Sequence, residues 1–352
     1  MANNPNNYLI AGNDEHGINP PTPGKRTPVM PFVSRSFYEN EFNKPAKDFF
    51  LEACLRIGFN VFDVKPGDAD TPINVRVASV NAVNPDALIT FAYNAYGSGT
   101  AFNSINGIET YYSVRNPKAA QSRELAVLLF NTAVKNTGSR GNGVFQLDIG
   151  MLSSVICPAA LIEAGYMTNF NEAKLMMDPD RQRQIGEAGC EAVCQFLNVP
   201  YTTFYNVATY PLQRLGSRGN HTKLLQYMLI NSGYPVVPDG IFGPATDRAV
   251  RAYQSENGLA ADGLVGRLTW TSLAEGFDNP PTRRQGDRGK YVYYMQRKLY
   301  SKLYPLGMDR IFGNDTARIV REFQSENELV DDGIVGQRTW EKLIPLSGGR
   351  TF

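Results

Sequence analysis

Side chains able to exchange protons or bind cations are sparse in this chain, and they fall at the ends of apolar runs. Of the two histidines in 352 residues, His16 follows a short apolar strand. His221 stands beside Asn220, where a helix is expected to begin, and reads as a surface residue. Glu163 closes the apolar run Ala159–Ile162, and Ala92-Tyr93-Asn94 closes Ala87–Phe91. Glu41 opens an amphipathic stretch, where a carboxylate by itself satisfies the positive end of a helix dipole. So small a supply of imidazole limits any histidine-based chemistry. Cys54, Cys157, Cys190 and Cys194 form no CxxC pair. Cys190 and Cys194 share one helix face, and all four read as small buried apolar residues rather than a disulfide framework.

The elements that must carry these groups alternate. Strands are expected at Tyr8–Ala11, Asn60–Val64, Ala87–Phe91, Gly107–Tyr112 and Ala159–Ile162. Helices are expected at Asn43–Ile57, Val75–Val83, Gln121–Thr137 and Arg181–Leu197. The alternation predicts an α/β domain over residues 1–200, a twisted, mostly parallel sheet with helices on both faces. Its site should lie at the carboxyl ends of strands, where His16, Ala92-Tyr93-Asn94 and Glu163 stand. The loop Thr100–Asn106 and the stretch Gly138–Gly150 are Gly/Asn-rich and read as borders of a groove.

The remainder is a repeat. Arg214 to Leu273 aligns without a gap on Arg284 to Leu343, with close to half the positions identical. Gln226 matches Gln296, Asp239 matches Asp309, and the two tryptophans, Trp270 and Trp340, coincide. Each unit, 212–275 and 283–346, reads as a small three-helix module with its tryptophan in the core. Asp239 and Asp309 are expected to make turns that cap the following helix. Val199–Pro211 and Phe277–Arg283 read as linkers.

The whole assembly resembles a known family. Glu15-His16-Gly17, Tyr38-Glu39-Asn40-Glu41-Phe42-Asn43, Thr90 to Ala95, Gly107 to Tyr112 and Pro158 to Asn169 resemble the zinc-dependent N-acetylmuramoyl-L-alanine amidases over residues 8–198. The repeats are similar to short three-helix peptidoglycan-binding domains. The resemblance implies cleavage of the amide between N-acetylmuramic acid and L-alanine in bacterial peptidoglycan. It implies Zn2+ held by His16, by Glu41 in preference to Glu39, and by a second histidine, with Glu163 as the catalytic carboxylate. That second histidine is absent, because its position is Ala92. Asp14 and Glu15 flank His16 but should point to opposite faces. Weakened or absent zinc and impaired catalysis are therefore expected. Two accounts of Ala92 stay open: an active amidase altered at one residue, and a wall-binding or wall-docking chain that does not cut.

Charge and composition narrow the class. Lys+Arg number 35 against 34 Asp+Glu, a net charge of +1 that excludes a general polyanion binder such as a nucleic-acid coat. No apolar run approaches the ~20 residues of a membrane span. The first residues lack a basic and apolar leader, so synthesis in the cytoplasm is expected. Access to the wall would follow lysis, holin-type release, or delivery by a phage or injection particle.

Overall fold

The computed structural model describes residues 2–277 and 279–344. The expected end of the second repeat at 346 lies outside them. The chain divides into two compact units, 1–30 with 35–205, and 31–34 with 206–352.

The first unit runs β1 Leu9–Asp14, α1 Asn40–Ile57, β2 Asn60–Asp63, α2 Ile73–Val83, β3 Ala87–Asn94, β4 Ile108–Tyr112, α3 Ala119–Thr137, β5 Gly141–Gln146, α4 Gly150–Ser153, β6 Ala159–Tyr166, α5 Phe170–Met176 and α6 Pro179–Phe196. The six strands form one sheet in the order β2-β1-β3-β6-β4-β5. Only the β4–β6 pair is antiparallel. The central strands β3 and β6 are near-continuous apolar runs because helices cover both faces. Apolar residues of α1, including Ala46, Phe50 and Cys54, are fully buried. So are Ile185, Cys190 and Cys194 of α6, and all four cysteines are buried free thiols.

Two features go beyond the sequence expectations. The Gly/Asn-rich stretch Gly138–Gly150, for which no strand was expected, contains β5, paired parallel to β4 at the sheet edge. Its Gly-Asn-Gly start carries little intrinsic strand preference, so ladder pairing decides it. Helix α1 also continues through Pro45, which lacks the N–H that would bond the carbonyl of Glu41. Gln182 of α6 supplies the missing donor, its Nε2 lying 3.1 Å from that carbonyl.

The second unit contains α7 Asn220–Asn231, α8 Pro244–Glu256 and α9 Arg267–Ala274, then α10 Lys290–Ser301, α11 Asn314–Glu326 and α12 Gln337–Leu343. Trp270 and Trp340 are buried in their modules. The stretches expected as linkers are fastened down. Tyr201 and Tyr205 donate to Glu187 and Glu52 of the first unit. Pro211 and Pro281 carbonyls accept from the Trp270 and Trp340 indoles, each at 3.1 Å. Phe277 stacks 4.1 Å from Tyr294.

A buried glutamine organises each turn. Gln226 Nε2 lies within 2.9–3.1 Å of Asp239 Oδ1, the Ile241 carbonyl and Thr246 Oγ1, and its Oε1 accepts from Gly240 N at 2.8 Å. Asp239 therefore ties its turn back to α7. It does not cap α8, whose N-cap is Gly243 with no side-chain bond. Asp309 is tied to Gln296 in the same way. The lock recurs within each module, since Gln254 holds Asp262, Leu264 and Thr269, and Gln324 holds Asp332, Ile334 and Thr339. Gln226→Ala should cost about 2–3 kcal/mol, because it strands several buried polar groups. Urea unfolding followed by tryptophan fluorescence reads this directly, since both tryptophans lie in the repeats. A loss under about 0.5 kcal/mol would remove the lock from this role.

Candidate active site at the strand ends

The carboxyl ends of β1, β3 and β6 and the start of α1 converge. Beyond β1 the chain turns sharply at His16, which adopts a left-handed φ of 62°. The turn is fixed by Asn40, whose Nδ2 donates to Asp14 Oδ2 at 2.7 Å and to the Glu15 carbonyl at 2.9 Å. Asp14 and Glu15 point to opposite faces. Asp14 is fully buried between Lys47 and Lys65, each at 2.7 Å. Glu15 meets Arg76 at 3.4 Å and Asn13 at 3.1 Å on the other face. Neither is left to assist His16.

His16 Nε2 lies 3.5 Å from Glu39 Oε2. Glu39 is buried at the head of α1, and its Oε1 accepts from Tyr93 N at 3.1 Å and Asn43 Nδ2 at 3.0 Å. Glu41, expected beside His16, is elsewhere. Its carboxylate is held by both Arg35 guanidinium nitrogens at 2.7 and 2.9 Å and by Tyr38 N at 2.8 Å. Two residues along a helix is about 200° of rotation, so only one of the two glutamates can face the sheet. Glu39 does, and the basic residue facing Glu41 is Arg35, which no spacing rule flags.

Ala92 and Glu163 are paired across β3 and β6. The register shifts immediately beyond them, and Gly165 sits there at a φ of 152°. A Cβ at Gly165 would lie 2.5 Å from the Tyr93 hydroxyl, so only glycine fits. Ala92 belongs to the apolar cluster with Val80, Leu88, Met151 and Leu161. Glu163 Oε2 is buried without a hydrogen-bond partner among the described residues. Burial, then the neighbouring Glu39, Glu15 and Glu109, push its carboxyl well above the usual range. Burial also moves Glu39 up to about 7 and His16 down to about 4. At neutral pH the imidazole is thus uncharged, and burial favours the protonated form of Glu163.

Beside Glu163, Glu109 on β4 accepts from Tyr166 at 2.6 Å, Asn142 at 3.1 Å, Asn94 at 3.2 Å, and Tyr111. Asn94 was placed at the strand ends from the sequence, but Glu109, Tyr111, Asn142, Tyr166 and Arg76 were not singled out as site residues. A glutamate inside the apolar run Ile108–Tyr112 was the available signal.

Glu163 titrates above its unfolded value, so its ionisation favours the unfolded chain as pH rises past about 4.5. In metal-free protein Glu163→Gln should therefore raise stability at pH 8, with the gain vanishing near pH 4. Urea unfolding by circular dichroism across that range checks this. A gain of the same size at both ends would show that Glu163 is ionised in the folded protein.

Residues 23–195 match the family described as N-acetylmuramoyl-L-alanine amidase, and residues 218–273 and 288–343 match the putative peptidoglycan binding domain. The chain is 30% identical over 155 residues to a probable N-acetylmuramoyl-L-alanine amidase of Bacillus licheniformis, covering 37% of this chain and 44% of that protein. It is 29% identical over 168 residues to the N-acetylmuramoyl-L-alanine amidase CwlL of the same organism, covering 40% and 47%. It thus spans less than half the length of these relatives. The catalytic domain of CwlV, an amidase of Bacillus (Paenibacillus) polymyxa, superimposes with a TM-score of 0.46 at 22% identity, covering 55% of this chain and 99% of that one.

Zinc is typical of the amidase family, and the donors here can be counted against it. A hydrolytic zinc site takes three protein ligands and keeps one position open. His16 and Glu39 are two donors, and a methyl group stands at the third position. Among the described residues no three His, Cys, Asp or Glu side chains gather to hold a metal. The donor set does not fit a resident catalytic zinc.

Proposed function

We propose, for a chain that carries an N-acetylmuramoyl-L-alanine amidase domain followed by two peptidoglycan-binding repeats, that it is a peptidoglycan-directed amidase whose site is incomplete at one position. The repeats hold the wall, and linkage of two modules raises the effective concentration of each. The strand-end site is addressed to the amide between N-acetylmuramic acid and L-alanine. Glu163 carries the reading: it is a buried carboxyl with an unpartnered oxygen, drawn towards its protonated form by burial and by the neighbouring Glu39. A carboxyl in that state donates a hydrogen bond to an amide oxygen or a proton to a departing amine. With two donors for a metal, cleavage by the chain as it stands is slow or absent. That same donor count supports a second reading, a wall-docking protein that binds without cutting.

Incubation with purified sacculi tests both readings against a complete hydrolase and against a chain with another partner. The chain should sediment with the wall while releasing few new L-alanine amino termini. Release at rates ordinary for hydrolases, roughly 1 s⁻¹ or more per chain, would show that the site is complete after all. Failure to sediment would remove the wall as the partner. No described helix is long and apolar enough to cross a membrane.

A further inference from the structure

The two repeats pack on each other through cations of the second and an acceptor face of the first. Arg310 lies over the Tyr234 ring at 4.5 Å, donates to Glu256 Oε2 at 3.2 Å and donates to the Gly233 carbonyl at 2.5 Å. The Tyr234 hydroxyl donates to Glu256 at 2.8 Å, which aligns ring and carboxylate as one cradle. Lys290 adds bonds to the Ser272 and Glu275 carbonyls.

The second repeat rebuilds that cradle. Tyr304 and Glu326 occupy the positions of Tyr234 and Glu256. The Tyr304 hydroxyl likewise donates to Glu326. Tyr304 rests edge-on against Phe323 at 5.6 Å and 78°, as Tyr234 rests on Tyr253 at 5.3 Å and 72°. Glu326 is exposed, and no cation stacks on Tyr304 among the described residues. A Tyr–Glu pair of the same build thus holds a guanidinium in one repeat and, among the described residues, meets no cation in the other.

The occupant is constrained. Tyr293 of the second repeat packs against Gly233 of the first, where a Cβ would lie 2.8 Å from the ring. The matching position in the second repeat is Leu303, which keeps a left-handed φ of 71° but carries a side chain. Another module cannot dock there in the same way. A second copy of this chain would present Gly240 and Asn220 where the second repeat presents Arg310 and Lys290, so it brings no matching cation. A small cationic group fits: an ammonium over the tyrosine face, paired with the carboxylate.

Resting on the peptidoglycan-binding reading above, we propose that Tyr304 and Glu326 form a recognition site for the free side-chain ammonium of a diamino residue in the wall's peptide strands.

Sedimentation of the full chain with purified sacculi, native or with their amines acetylated, tests this. Glu326→Gln should weaken binding to native sacculi about tenfold, and Glu326→Lys should weaken it further. Glu328→Gln, at an exposed glutamate two residues on, should leave binding unchanged. Acetylation should lower the unaltered chain to the Glu326→Gln level and leave Glu326→Gln where it was. Unchanged tryptophan-detected melting would exclude misfolding, and Tyr304→Leu should repeat the pattern if Glu326→Gln melts early. Equal binding by the unaltered chain and Glu326→Gln would overturn the proposal while leaving wall binding intact. No sedimentation of the unaltered chain would overturn the wall reading and the proposal together. Self-association that Glu326→Gln dissolves would overturn it in favour of a second copy.

Discussion

Ala92→His should bring zinc to near one per chain and wall lysis with it. Position 92 is paired with Glu163 across adjacent strands, and its neighbour Tyr93 bonds Glu39 through the backbone. An imidazole there would add a third donor to His16 and Glu39. Outer-sphere partners of zinc ligands are already worth 10–100-fold in affinity or activity. Supplying a missing ligand should therefore raise zinc affinity by at least about a hundredfold. Metal analysis after dialysis reads occupancy, and release of L-alanine amino termini from sacculi reads chemistry. In that background Glu39→Gln should lose the metal, Glu41→Gln should keep it, and Glu163→Gln should keep it while losing cleavage. Zinc retained by Glu39→Gln and lost by Glu41→Gln would reverse the assignment of the carboxylate. Full occupancy without lysis would favour the wall-docking reading.

Lys47→Met should be the most destabilising single change in the first unit. Lys47 is fully buried and lies 2.7 Å from both Asp14 and Asp63. Burial alone would discharge its ammonium, but Asp14, Asp63 and Asp48 outweigh burial and raise its pKa. Breaking a buried pair by removing one partner costs about 3–5 kcal/mol, because charge is left in a poor solvent. Protonation of the stranded carboxylates relieves part of this, so the deficit should shrink as pH falls. Asp14 anchors Asn40, and Asn40 holds the turn at His16, so metal uptake in the Ala92→His background should fall as well. Urea unfolding by circular dichroism, which sees the α/β unit, checks the stability. A cost below about 1 kcal/mol would mean that solvent or Lys65 takes over.

The sheet was legible where chemistry and periodicity agreed. Runs such as Ala87–Phe91 and Ala159–Ile162 have no alternative to a strand covered on both faces. Gly141–Gln146 was illegible because its strand state comes from β4 rather than from its own side chains. In the site, His16, Ala92 and Glu163 could be placed at strand ends from sequence alone. Glu41 could not be separated from Glu39 without knowing which way α1 is turned, and Arg35 decides that across a loop. Glu109 was hidden for a similar reason, since its partners come from β3, β4, β5 and β6, and Arg76 because its partners lie at the end of β1 and in the loop before α2. The repeats were more transparent, because identical residues at matched positions mark the locks without any need for a third dimension.

Those glutamine locks have a bearing on time as well as stability. Gln226 reaches Thr246 and Gln254 reaches Thr269, spans of 20 and 15 residues. The sheet, by contrast, pairs Ile10 with Ala87 and Leu88 with Ala159. Rates of folding fall as the mean sequence separation of contacts rises. After dilution from denaturant, or during emergence from a ribosome once its own residues are out, the tail should reach its native state while the parallel sheet is still searching. On the wall-binding reading, a molecule caught in that interval would already grip its polymer, with the strand-end cleft not yet formed.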